Sequence, residues 1–362
     1  MSANRYVTLE DQFRMQEGVL TKASIAFETW GEPNREGDNA VLVFTGLSPS
    51  AHAASSPRDH RTGWWEDMIG PGKPIDTTRY FVICVNSLGS CFGSTGPASV
   101  NPATGEPYRL TFPVLHVEDI ANGGAEVLDH LNVQRLHTVL GASMGGMTAL
   151  AFAMLHPDRV RGLVSISSAA RSLPFSIAIR SLQREIIRRD PDWQGGSYAG
   201  ERGPVTGMRL ARKLGMISYR SANEWAERFG RERTTDRGEP DDAFGLDFEV
   251  EAYLEAHARK FVGAFDANCY LYLSRAMDLF DVADHGGSLE EGFALIQVER
   301  AMVIGVESDF LFPIEQQQEL AKGLGERVGD ITFHRLSSIQ GHDSFLVDMD
   351  RFRPLIARYF RS

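Results

Sequence analysis

The stretch HTVLGASMGGMTALAFAMLHP, residues 137–157, decides how this chain folds. Thr138, Val139 and Leu140 form a short β-favouring run. Gly141-Ala142-Ser143-Met144-Gly145 follows, and then a segment of small, helix-compatible residues. G-x-S-x-G set between a strand and a helix is the pattern of a nucleophile elbow. Its turn holds the central residue in a strained conformation, so the residues two positions away have to be small. A serine there projects its hydroxyl above the sheet edge. The N–H groups that open the following helix can then stabilise an oxyanion. Ser143 is the candidate nucleophile, and the Met144 N–H is one candidate oxyanion donor. A plain Gly/Ser turn would carry the same five letters; the flanking strand and helix separate the two readings.

Working outward, the chain repeats the alternation of that stretch. Near-continuous apolar runs at Ala40–Thr45, Tyr80–Asn86, Gly162–Ile166, Ala301–Val306 and Ile331–Leu336 read as strands buried on both faces. Helical spacing fills Val117–Leu131, Gly145–Leu155, Ile314–Gly323 and Ser344–Phe360, the last broken near Pro354. Residues Val19–Gly31 add an antiparallel hairpin strand at the edge. The expected fold is α/β, a mostly parallel sheet with helices on both faces. Between about Ala170 and Gly292 this rhythm stops. That block is charged and helix-rich, with helices at Ser176–Asp190 and Phe248–Phe265 and a polar loop at Arg231–Asp242. It reads as a helical lid, residues 171–292, inserted into a core of 1–170 and 293–362.

With 362 residues, 43% of them hydrophobic and 23% charged, the chain can build a large core without staples. Its net charge of -11 argues against a nucleic-acid or membrane-surface role. Its three cysteines, Cys84, Cys91 and Cys269, form no C-x-x-C, so neither a disulfide framework nor a metal site is expected. The first residues lack an apolar signal region, and no stretch is long enough to span a bilayer. A cytoplasmic protein is expected.

A serine nucleophile needs a base, and the base needs an orienting carboxylate. On an α/β-hydrolase sheet the chain order is Ser, then Asp or Glu, then His. Asp309, in VIGVESDFLFP, falls just past the C-terminal end of a strand, where loop residues reach a ligand crevice. Read blandly it is a turn or cap residue before Pro313, and Glu307 is a rival carboxylate. His342, in SSIQGHDSFL, lies in a glycine-led loop before the last helix; blandly it is a solvated loop histidine. His52 and His60 fall near the loop after the first parallel strand and could line a pocket. That loop, TGLSPSAHAASS from Thr45, is where a second oxyanion donor comes from, and the Leu47 N–H is the candidate.

GASMGGMTAL, NSLGSCFGSTGPASVNPATG, VESDFLFP and GHDSFL together resemble the homoserine O-acetyltransferase family of amino-acid acyltransferases. The resemblance runs from the Thr45 loop to the last helix. It implies an α/β-hydrolase fold with a helical lid, a Ser143-Asp309-His342 triad and a homodimer joined through the lid. It also implies that Arg212 binds an amino-acid carboxylate and that Asp343 holds the ammonium. A planar guanidinium suits a carboxylate and a carboxylate suits an amine. Read from its own surroundings in the sequence, Arg212 is a solvated helix arginine.

Two departures set the chain apart from homoserine enzymes. The first loop reads Gly46-Leu47-Ser48-Pro49 rather than carrying a GD-type turn, and the later segment reads NSLGSCFGSTGP rather than N-x-LGGC-x-GTTGP. Both are similar to the branch that acylates L-serine on the way to cysteine. Residues 46–49 are then the wall that sets acceptor length, although one methylene is worth only about 1–3 kcal/mol. For the donor, Leu311 stands where homoserine succinyltransferases of the family carry an arginine, which favours acetyl. The whole motif set resembles serine O-succinyltransferases instead. Arg180 or Arg184, on the first lid helix, would then read the succinyl carboxylate or meet coenzyme A phosphates. The expected reaction is ping-pong succinyl transfer from succinyl-CoA to L-serine through a Ser143 acyl-enzyme, with no cofactor. Serine or homoserine acetylation from acetyl-CoA, ester or thioester hydrolysis, and a non-catalytic binding role are the alternatives.

Overall fold

Eight strands form the central sheet of the computed structural model, which describes residues 3–198, 203–235 and 244–361. They are β1 (Arg5–Thr8), β2 (Ser24–Trp30), β3 (Ala40–Phe44), β4 (Phe81–Val85), β5 (Thr138–Ala142), β6 (Gly162–Ile166), β7 (Arg300–Val306) and β8 (Asp330–Leu336). Their order across the sheet is β1-β2-β4-β3-β5-β6-β7-β8. The run from β4 to β8 is parallel, with Val41 beside both Val82 and Thr138, and Ser165 beside Val303. β2 is antiparallel to β1 and β4, so the expected antiparallel strand lies one place in from the edge. Every residue of β3, β4, β5 and β6 is buried, as their unbroken apolar sequences require.

On one face lie α1 (Val117–His130) and α2 (Met144–Leu155). Their buried side chains share a single core with β2, β3 and β5. The chain leaves the sheet after β6 and builds the lid from α3 (Pro174–Arg189), α4 (Val205–Tyr219), α5 (Ala222–Phe229), α6 (Glu249–Val262) and α7 (Ala267–Leu279). Arg171 bridges Asp281, and the Val282 N–H donates to the Ala170 carbonyl at 2.9 Å, closing the neck. The neck therefore returns earlier than the boundary at 292. The helix after it, α8 (Leu289–Ala294), belongs to the core, because its Phe293 packs against Gly323 of α9 (Ile314–Gly325). Lid residues Ile187, Met208, Ala211 and Leu273 join the same apolar cluster as the sheet, so the lid has no separate core. Of the polar loop at 231–242, residues 236–242 lie outside the described residues.

α10 (Ser344–Val347) and α11 (Met349–Arg361) close the other face. The break between them falls at Asp348, whose φ of -102° and ψ of 56° are not helical. Pro354 sits inside α11 without ending it. The apolar stripe of α11, Phe352, Ile356, Tyr359 and Phe360, is buried against the sheet and holds the helix through the lost bond. Each such burial stabilises by about 1.5–3 kcal/mol.

The site is positioned by a close approach between α2 and the sheet. A Cβ on Gly141 would lie 2.1 Å from the Gly145 carbonyl oxygen. One on Gly145 would lie 2.3 Å from the Phe44 carbonyl oxygen. Both contacts are with backbone, which cannot swing aside. Gly145→Ala should cost about 1–3 kcal/mol of stability through overpacking. A lowered thermal midpoint is the expected readout; an unchanged one would mean that α2 can retreat from β3.

Candidate active site

Ser143 connects β5 to α2 with φ 57° and ψ -125°, left-handed values that a residue with a Cβ adopts only under constraint. Its N–H donates to the Ile166 carbonyl at 3.0 Å, and its carbonyl accepts from the Ser168 hydroxyl at 2.8 Å. These bonds and the glycine contacts hold the strain in place.

His342 Nε2 lies 2.8 Å from Ser143 Oγ, and His342 Nδ1 lies 2.8 Å from Asp309 Oδ2. Asp309 follows β7, and its other carboxylate oxygen accepts from the Leu311 and Phe312 N–H groups, both at 3.0 Å. An ionised Asp309 accepts the Nδ1–H and leaves the Nε2 lone pair for the serine proton. Burial opposes a charge on His342, but the Asp309 carboxylate outweighs it and holds the pKa above the ordinary histidine value. Phe312 stacks on the imidazole, with ring centres 5.2 Å apart. Glu307, the rival carboxylate, pairs instead with Arg335 at 2.6 Å on the surface.

The pocket in front of Ser143 encloses about 950 Å³, mouth included. Its walls include Gly46, Leu47, Ser48 and Pro49 from the loop after β3, and Arg180, Arg212, Leu311, His342 and Asp343. Leu47 therefore stands beside the nucleophile, and Met144 is the first residue of α2, where helix N–H groups have no partner within the helix.

The three candidate arginines differ sharply. Arg180 is buried, with Nε 2.6 Å from Asp278 Oδ1 and Nη2 2.6 Å from Ser172 Oγ. Arg184 is not in the pocket wall; it donates to Ser274 Oγ at 2.9 Å and forms an ion pair with Asp278, 2.7 Å from Oδ2. Asp278 thus faces both, a partner that no local signal in the sequence reveals across 98 residues. Arg212 makes no ion pair among the described residues, and its buried Nε has no hydrogen-bond partner. Its guanidinium lies over the Phe261 ring at 4.4 Å. Asp343 is held by Arg220 at 3.3 Å, and burial raises its pKa. Sequence reasoning missed Arg220 as well. His52 and His60 do not line the pocket: His52 bonds Glu28 at 2.9 Å and His60 is exposed.

A deep pocket over a serine triad, roofed by an inserted lid, defines an α/β-hydrolase-fold enzyme. The family model described as alpha/beta hydrolase fold matches residues 39–348. The chain is similar to a protein named serine O-succinyltransferase from Litchfieldella anticariensis, 56% identical over 99% of this chain and 98% of that one. It is equally similar, 56% over 97% of this chain and 96% of the other, to one of the same name from Stenotrophomonas maltophilia. Among solved structures it resembles a homoserine O-acetyltransferase from Bacillus anthracis, with a TM-score of 0.90 and 28% identity over 99% and 97% of the two chains. It also resembles esterase E22, with a TM-score of 0.88 and 28% identity over 98% and 99%. The chain belongs to the homoserine O-acetyltransferase family of α/β-hydrolase-fold acyltransferases, in its serine O-succinyltransferase branch.

Asp309→Asn should leave the pocket intact and cut acyl transfer by about 10⁴-fold, since the amide favours the wrong histidine tautomer. The residual activity carries a sign test. Protonated His342 cannot take the serine proton, so activity falls as pH drops through its pKa. Asp309 raises that pKa, so the acid limb of the rate profile should move to lower pH in Asp309→Asn. A limb that stays in place would separate Asp309 from the base.

Proposed function

We propose that this enzyme transfers a succinyl group from succinyl-CoA to the hydroxyl of L-serine in two half-reactions. His342 takes the proton from Ser143, whose oxygen attacks the thioester carbonyl. The Leu47 and Met144 N–H groups hold the oxyanion. The tetrahedral intermediate collapses, and coenzyme A leaves as its thiol with the proton from His342. L-Serine then enters, His342 deprotonates its hydroxyl, and that oxygen attacks the succinyl-Ser143 ester. Collapse frees O-succinylserine and returns the proton to Ser143. The lid keeps water from the ester between the two steps.

The observation that carries this reading is Arg212. An unpaired guanidinium at the wall of a nucleophile's pocket is a site for a carboxylate. With Asp343 beside the catalytic histidine, it supplies opposite charges for the two ends of an amino acid. A simple esterase has no use for that pair. The names of the most similar relatives point to serine as acceptor and succinyl as the acyl group. Gly46, Leu47, Ser48 and Pro49 form the wall against which a short acceptor is held close to the acyl-enzyme.

For the donor, Arg180 lies in the pocket wall and is assigned to the succinyl carboxylate, with Asp278 holding it in place. Arg184, outside that wall, is left for the coenzyme A end of the donor. Leu311, buried in the same wall, favours the second reading, an acetyl donor. No metal or resident cofactor enters either scheme. Exposed Leu182, Leu210 and Ile217 on α3 and α4 support a homodimer joined through the lid. No helix among the described residues is long and apolar enough to cross a membrane, which is compatible with the proposed cytoplasmic location.

Thiol release from succinyl-CoA or acetyl-CoA, each with L-serine or L-homoserine, tests the reading directly. Fast turnover with succinyl-CoA and L-serine is expected. Preference for acetyl-CoA would make Leu311 the better guide, and preference for homoserine would refute the role of residues 46–49. Arg212→Ala should raise the KM for serine about 10- to 100-fold, the worth of one charged hydrogen-bonding contact. The first burst of thiol should stay at its wild-type rate. Equal loss in both steps would remove Arg212 from acceptor binding.

A further inference from the structure

Behind the loop that carries Leu47, away from the pocket, lies a buried charge cluster that the scheme above does not use. His52 Nδ1 lies 2.9 Å from Glu28 Oε2, and His52 Nε2 lies 2.9 Å from the Arg61 carbonyl oxygen. A carbonyl oxygen only accepts, so Nε2 carries a hydrogen. The second ring nitrogen faces a carboxylate oxygen, and two acceptors form no bond without a proton between them. With the Glu28 carboxylate ionised, both nitrogens of His52 therefore hold protons in this arrangement. Charge balance agrees. Asp59 is paired with Arg61 and lies 3.9 Å from His52 Nδ1, while Glu28, 1% exposed, has His52 as its hydrogen-bonding partner and feels the Arg61 charge beyond it. The group facing Glu28 from β4 is Cys84, a buried thiol whose pKa burial pushes up, so it adds no charge.

The cluster is tied to the oxyanion loop from both sides. Glu28 is part of β2, inside the sheet, and cannot shift without it. Beyond His52, the Trp64 N–H donates to the His52 carbonyl at 3.3 Å and the Trp64 indole donates to the Ser50 carbonyl at 3.0 Å. Trp65 donates its backbone N–H to Ala53 at 2.8 Å and its indole to the Phe345 carbonyl at 3.1 Å, in the segment that follows His342. The loop bearing Leu47 is thus pinned at one end by β3 and at the other by His52.

We propose that His52 is a positioning residue for acyl transfer: as an imidazolium clamped between the Glu28 carboxylate and the Arg61 carbonyl, it fixes the loop that presents the Leu47 N–H to the oxyanion. This inference rests on the oxyanion role given to Leu47, but not on the identity of acyl donor or acceptor. The direction of titration agrees. Burial works against the charge on His52, yet its contacts with Glu28 and Arg61 and the nearby Asp59 carboxylate outweigh it and raise its pKa; burial also raises that of Glu28, against the pull of His52 and Arg61, so the pair as a whole holds its shared proton more tightly. A raised histidine pKa means that the clamp is intact below it and loosens as pH rises through it.

The test is single-turnover acylation of Ser143 by p-nitrophenyl acetate across pH, which needs neither coenzyme A ester nor serine. A failure of the succinyl and serine assignment would leave this readout untouched. The wild type should lose acylation rate on the alkaline side. Glu28→Gln should keep its neutral-pH rate within about threefold and lose that alkaline decline, because the amide N–H donates to a neutral His52 Nδ1 and the extra proton is no longer needed. His52→Ala should acylate about 10- to 100-fold more slowly with an unchanged KM for the ester, approaching the effect of deleting an oxyanion donor. Nitrogen-15 spectra at pH 6 should show two ring N–H signals for His52 in the wild type. Wild-type acylation in His52→Ala, an alkaline decline that persists in Glu28→Gln, or a single ring N–H on His52 would each overturn the proposal.

Discussion

Everything in the site depends on how closely the first turn of α2 lies against the ends of β3 and β5. Gly141 and Gly145 leave no room for a Cβ, so the chain between them turns sharply and Ser143 takes up a left-handed conformation. That single turn sets three things together. The hydroxyl stands clear of the sheet, the start of the helix faces the reacting carbon, and the loop after β3 comes alongside. A histidine 199 residues further on then needs only one correct loop to meet the hydroxyl. The strain is local, while the bonds to Ile166 and Ser168 that hold it come from the neighbouring strand and its loop.

Two arginines in one pocket show how burial sorts charge into structure and function. Arg180 is anchored: Asp278 and Ser172 take two of its five N–H donors, so its position is fixed before any substrate arrives while the remaining donors stay open to the pocket. Arg212 leans on Phe261, an interaction worth about 0.5–2 kcal/mol, and leaves donors for a stronger partner. Its Nε is buried with no hydrogen-bond partner, although the side chain as a whole is only half-buried. That is the arrangement which the carboxylate-binding role proposed for Arg212 requires.

The parallel strands were readable because burial on both faces makes their sequences apolar throughout, as in Ala40–Phe44 and Gly162–Ile166. β1 and the small hairpin of Gln12–Met15 with Gly18–Thr21 were not, because short, half-exposed strands leave too little pattern. α7 escaped for the opposite reason: most of its positions are buried, so no polar face marks it as a helix. The elbow, Asp309 and His342 were legible from motif and chain order together. Arg212 was legible only through family resemblance, since nothing in its local sequence distinguishes a pocket cation from a solvated one. Asp278, Arg220 and the Glu28–His52 contact were invisible, because each pairs residues brought together only by the folded chain.

The neck at Arg171 and Asp281 has a consequence for how such an enzyme can change. β6 and β7 are adjacent parallel strands, and the entire lid leaves and returns between them. Closing a longer chain excursion costs little, about 0.6 kcal/mol for each doubling of its length. The sheet, the elbow and the loops bearing Asp309 and His342 can therefore stay constant while the material between those strands is lengthened, shortened or recast. The lid's share of the pocket wall, Arg180 and Arg212 included, can be exchanged along that seam while the triad and the 46–49 wall stay with the sheet.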